Sequence, residues 1–132
     1  METQFQNRRL ARQLVSFAGI RIGEKGMPTD CDGLIEYRNR GYVLFEIKHG
    51  NASLPYGQYL ALVRMCDDFA RIGKPAVLIV AEHDVDDPEI DIDAAACLVR
   101  KFYFRGKWHR PSEPVTLKEK IDSFIAYVDR RN

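Results

Sequence analysis

The chain has 132 residues, a size that fits one domain able to bury roughly two-thirds of its unfolded surface without a disulfide or structural metal. Hydrophobic residues make up 45% and charged residues 30%, which excludes long disorder, and a formal charge of +1 excludes coating a polyanion by bulk charge alone. Three scattered cysteines, Cys31, Cys66 and Cys97, lack Cys-x-x-Cys spacing and exclude a disulfide framework or zinc ribbon.

From about Glu2 to Phe17, Leu10, Leu14 and Phe17 recur at helical spacing and predict a helix. Gly19, Gly23, Gly26 and Pro28 interrupt it, with a short strand or turn at Ile20 and Ile22. Asp32 to Tyr37 reads as a strand, Asn39-Arg40-Gly41 as a three-residue hairpin loop, and Tyr42 to Lys48 as the returning strand. A loop from His49 to Leu54 leads to Pro55, which opens a helix over about Tyr56 to Ile72. Tyr59, Leu62, Val63, Cys66, Phe69 and Ala70 form its apolar stripe, and Gly73 and Pro75 end it. The continuous apolar run Ala76 to Ala81 predicts a strand covered on both faces. An acidic connection, Glu82 to Asp93, precedes a strand within Ala95 to Phe104, with Trp108 just beyond it. Thr116 caps a last helix to about Arg130, with Leu117, Ile121, Phe124, Ile125 and Val128 on one face. The expected order is α-β-β-α-β-β-α, a single α/β domain over 1–132 with a mixed sheet flanked by helices.

Chemistry concentrates in Pro28-Thr29-Asp30-Cys31-Asp32 and Phe45-Glu46-Ile47-Lys48. Strand side chains alternate faces, so Glu46 and Lys48 point one way and Phe45 and Ile47 the other. Charges on an apolar strand are costly to bury without partners. With Asn39, Arg40 and Gly41 as the loop, Arg38 pairs with Tyr42, Leu34 falls opposite Glu46 and Asp32 opposite Lys48. Asp32, Glu46 and Lys48 then share a face, with Asp32 diagonal to Glu46 at roughly 7–8 Å. Two carboxylates at that separation suit one hard divalent cation, magnesium or manganese, which keeps several waters. The Ile47 backbone carbonyl, between the two side chains, is a further candidate oxygen ligand, and the Lys48 ammonium can orient an attacking water and stabilise phosphoryl charge. Asp32 is favoured as the main acid because it begins the strand; Asp30 has the same parity and is a second candidate.

Asp32…Glu46-Ile47-Lys48 between apolar strands resembles the PD-(D/E)XK nuclease superfamily, in the flavour of small resolvase-like or phage-type nucleases. The expected α-β-β-α-β order resembles that family's core from residue 1 to about 83. The resemblance implies a restriction-endonuclease-like fold and magnesium- or manganese-dependent hydrolysis of DNA phosphodiesters. It implies that Asp32 and Glu46 bind metal and Lys48 assists the water. It further points to Glu24 as an added acid and to Gln58 as a water- or phosphate-aligning residue, while the position of a recombination-type Tyr holds Leu62.

Arg8, Arg9, Arg12 and His49 are the candidate DNA-backbone contacts. The late basic cluster of Arg100, Lys101, Arg105, Lys107 and Arg110, and the acidic cluster around His83 and Asp84, read as solvated surface. Lys101 to Arg105 interleaves basic and aromatic residues and reads as an amphipathic strand with a packed aromatic face. Near-neutral charge suggests structured or branched DNA or a delivering partner, and a homodimer would place two sites on two strands. The alternative is a non-catalytic nucleic-acid-binding or phage accessory or inhibitor module on the same fold; RNA is a third option for substrate. No apolar run approaches the ~20 residues of a bilayer span, and the polar start Met1 to Gln6 carries no signal-peptide core, so a cytoplasmic protein is expected.

Overall fold

The computed structural model describes residues 16–20, 22–23, 28, 30–50, 52 and 56–131; the side chains of Tyr56 and Gln58 lie outside that description. Backbone contacts divide the chain into two units, Met1–Asp30 and Cys31–Asn132. In the first, the described segment 16–20 turns back on itself, the Ile20 N–H donating to the Phe17 carbonyl at 2.9 Å. The helix expected from Glu2 to Phe17 lies outside the described residues, except Ser16 and Phe17, which are not helical.

The second unit is an α/β domain. Strand β1 (Gly33–Tyr37) returns as β2 (Gly41–His49) through a turn at Arg38, Asn39 and Arg40. The turn therefore starts one residue earlier than expected. Its left-handed positions are Arg38 (φ 49°) and Asn39 (φ 58°); Asn tolerates this region better than most side chains. Gly41 is instead the first residue of β2, where an added Cβ would lie 3.0 Å from Val128 and 3.1 Å from the Pro75 carbonyl. Its lack of a side chain serves close packing rather than the turn.

From β2 the chain passes through a 3-10 turn (Tyr56–Tyr59) into α1 (Leu60–Arg71). The helix ends where the Lys74 N–H donates to the Phe69 carbonyl at 2.9 Å, with Gly73 left-handed at φ 88°. Strand β3 (Ala76–His83) then lies parallel to β2, Tyr42 level with Ala76 and Glu46 level with Val80. A second 3-10 turn (Ala94–Ala96) precedes β4 (Leu98–Phe104), antiparallel to β3 with a bulge at Val80/Ala81. Arg105 and Gly106, both left-handed, turn β4 into β5 (Lys107–His109). Trp108 is thus a strand residue opposite Tyr103, not a position beyond the sheet. Helix α2 (Leu117–Arg130) starts at a reciprocal cap between Thr116 and Glu119. The described order is β-β-α-β-β-β-α, forming a five-stranded mixed sheet, β1-β2-β3-β4-β5, with two helices.

Strand alternation sorts the core onto two faces. Leu44, Leu78, Val80 and Tyr103 pack with Tyr59, Leu62 and Cys66 on the α1 side. Val43, Val77, Ile79, Ala81 and Val99 pack with Leu117, Phe124 and Val128 of α2. Strand β3 is buried on both faces from Ala76 to Ala81, as its unbroken apolar run predicts. No helix among the described residues is long and apolar enough to cross a membrane.

Candidate metal centre

Phe45 and Ile47 are packed against the α2-side core. By alternation, Glu46 and Lys48 sit on the α1 side. Among the described residues Glu46 is the one charged side chain that is buried, at 4% exposure. Burial at this level costs several kcal/mol for a lone carboxylate, on the order of its desolvation penalty, unless something compensates it.

Partial compensation comes from the Asp32 backbone N–H. Gly33 is level with Phe45 in the β1–β2 ladder, so one more residue brings Asp32 level with Glu46. This corrects the expected register: Asp32 lies opposite Glu46 rather than opposite Lys48. The offset is two residues, so it preserves the face each side chain takes. Asp32 precedes the first strand residue instead of opening the strand. Its N–H donates to Glu46 Oε2 at 2.8 Å, and the Ile47 N–H donates to Asp32 Oδ2 at 2.7 Å. These bonds engage one oxygen of each carboxylate, and among the described residues Asp32 Oδ1 and Glu46 Oε1 accept no backbone hydrogen bond. In an extended strand the N–H and C=O of one residue face the same edge. The Ile47 carbonyl therefore faces the Asp32 side, beyond the end of the β1 ladder.

Burial pushes the Glu46 carboxyl above its usual range. The Asp32 N–H opposes the shift, the Asp32 carboxylate adds to it, and the Lys48 ammonium draws it back slightly. Two acids held against their mutual repulsion are short of positive charge, a condition that a divalent cation relieves. Lys48 is half-buried on the same face, level with Glu82 of β3. The Tyr59 hydroxyl, buried just before α1, has no hydrogen-bond partner among the described residues. Its proton is held more tightly by burial and then by the charge of Glu46, with a smaller push from Asp32.

The oxygen-only donor set, two carboxylate oxygens and a strand carbonyl, fits magnesium or manganese, ions that keep several waters of their own. The orphan Tyr59 hydroxyl is a buried polar group of the kind such water satisfies. Among the described residues, no group of three or more His, Cys, Asp and Glu side chains is placed to hold a metal. The candidate centre is a carboxylate pair beside a strand carbonyl, not a side-chain cage.

Other expected site residues are distributed differently. Glu24, Arg8, Arg9 and Arg12 lie outside the described residues. Asp30 is exposed and belongs to the first unit. Gln58 falls in the 3-10 turn beside Tyr59, its side chain outside the described residues. His49 points away from Glu46 and meets Asp86 at 2.7 Å, its ring edge-on to His83. The acidic connection, with Glu82, Asp84, Asp91 and Asp93, lines an open cleft of about 480 Å³ past the ends of β2 and β3; Asp32 and Glu46 do not line it.

In the sequence, Tyr59 belongs to an apolar stripe and lies near Leu62, which holds the position of the recombination-type Tyr. A hydroxyl on a buried helix-start residue was the available signal, since buried Tyr hydroxyls normally find partners. No protein-family model matches the chain, and no curated protein and no solved structure matches it either.

Proposed function

We propose that the protein is a metal-dependent nuclease of PD-(D/E)XK type that hydrolyses DNA phosphodiester bonds. The observation that carries this reading is the pairing of Asp32 with buried Glu46 at the mouth of a β-hairpin, with Lys48 on the same face. A hairpin followed by a helical crossover to a parallel strand is the arrangement expected of a restriction-endonuclease-like core.

Asp32, Glu46 and the Ile47 carbonyl would hold magnesium or manganese. When bound, such an ion lowers the pKa of water and neutralises charge on a phosphoryl oxygen. The Lys48 ammonium orients the water whose oxygen attacks phosphorus and stabilises negative charge on the phosphoryl oxygens as it builds. Gln58 is assigned to aligning the water or phosphate. The attacking water gives up a proton to solvent as its oxygen bonds to phosphorus, the phosphorus–oxygen bond to the leaving sugar breaks, and that oxygen takes up a proton from solvent.

Cleavage of plasmid and branched DNA with manganese or magnesium tests the proposal. Wild type cuts both only with metal added. Glu46→Ala and Lys48→Ala each lose at least about a hundredfold in rate, the scale of a lost charge-stabilising group. Cleavage persisting in both variants contradicts the assignment. The hydrogen bonds between Asp32 and β2 also suit a non-catalytic binding module, in which they would only brace the hairpin. That reading predicts DNA binding without cleavage in any metal.

A further inference from the structure

Across the sheet, Glu46 is level with Val80, and Val80 with Lys101. Lys101 therefore stands on the α1 face two strands from Glu46, about 10 Å away by strand spacing. Its ammonium lies 4.3 Å from the centre of the Trp108 ring and 5.7 Å from that of Tyr59, the residue that senses Glu46 and Asp32. It makes no ion pair among the described residues. Arg100, beside it at the bulge, is held by Glu82 at 3.7 Å and by the Ala52 carbonyl at 3.1 Å. Arg110, just past β5, is exposed. Burial first, then the charges of Arg110 and Arg100, make the Lys101 ammonium a stronger acid than usual. A half-buried cation crowded by two others has no carboxylate partner among the described residues.

We propose that Lys101, flanked by Arg100 and Arg110, is the seat of a DNA backbone phosphate adjacent to the carboxylate pair. The inference rests on the nuclease reading for its substrate and extends it by naming where the strand is gripped. Trp108 and Tyr59 fix the ammonium in place, so the phosphate meets a preset charge and not a freely moving side chain. A phosphate there registers the next one toward Asp32 and Glu46 without reading sequence.

The test is fluorescence anisotropy of labelled duplex DNA in EDTA over a series of salt concentrations, with manganese-dependent cleavage measured in parallel. Lys101→Met keeps the packing on Trp108 and removes the charge. It weakens binding about fivefold or more, equally for two unrelated sequences, and lowers the salt slope by about 0.9. In manganese its KM rises while kcat holds, and Lys101→Arg recovers most of the binding. Unchanged affinity and slope in Lys101→Met overturns the seat; if that variant does not fold, exposed Arg110→Ala decides by the same criterion. Wild type that binds DNA but cuts none in manganese overturns the nuclease reading, while the slopes still judge the seat. Cleavage with an unchanged Lys101→Met overturns only the seat. Wild type that binds no DNA overturns both.

Discussion

Burying Glu46 beside Asp32 places two like charges where water screens them poorly, and the raised Glu46 carboxyl records that cost. A folded-state pKa above the unfolded value means that the native state binds the extra proton. Its contribution to stability is present in acid and is lost as pH rises through the shifted pKa. Metal-free Glu46→Gln, which cannot ionise, is therefore expected to lack this loss. Urea denaturation at acid and neutral pH should show the wild type falling relative to the variant as pH rises. Saturating manganese reverses the order, because an ion present at a hundred times its Kd adds about 2.7 kcal/mol to the wild type. A wild-type Tm indifferent to manganese, or a Glu46→Gln rise of equal size, would count against Glu46 as a ligand. Metal binding should also weaken in acid, where a proton competes for the same oxygens. At this scale the sequence was informative about faces: period-two alternation put Glu46 and Lys48 together. It could not show that Asp32 braces β2 through backbone N–H groups, because such bonds carry no residue signature.

Elements were legible where one pattern had one cause. Helix α2 reads directly from its stripe and from Thr116, and β3 from its apolar run. The hairpin misled because glycine has two uses. Gly41 resembles a turn residue, yet the left-handed positions are Arg38 and Asn39, and Gly41 lets β2 approach α2 and Pro75. Gly41→Ala is accordingly predicted to destabilise the domain by about 1–3 kcal/mol through overpacking against Val128 and the Pro75 carbonyl. The loss would appear as a lower urea midpoint with an unchanged slope. A neutral Gly41→Ala would mean that the contact relaxes freely. The same misplacement explains the two-residue register error, and why it did no damage to the site: an even offset leaves every side chain on its face. Strand β5 was missed because three residues carry too little alternation to register, while its partner Tyr103 lies on the strand before it.

For the molecule as a whole, the sheet order follows from simple packing. Two helices cover opposite faces of β3, so the most apolar strand occupies the middle, and the hairpin bearing Asp32 and Glu46 takes one side. The carboxylate pair forms where β1 runs out and β2 continues, leaving the Ile47 backbone unladdered on that edge. Lys101 reaches the same face from β4 across one buried valine, Val80. The site is thus a product of topology. Residues far apart in sequence meet through a hairpin, a parallel crossover and a bulge, and only the hairpin could be anticipated from spacing. A crystal grown with manganese would show whether Asp32 and Glu46 hold a metal. An anomalous peak is expected, bound by one oxygen each from Asp32 and Glu46, with the Ile47 carbonyl alongside. Density for manganese elsewhere, or none while Asp32 and Glu46 keep only their hairpin hydrogen bonds, would contradict this assignment.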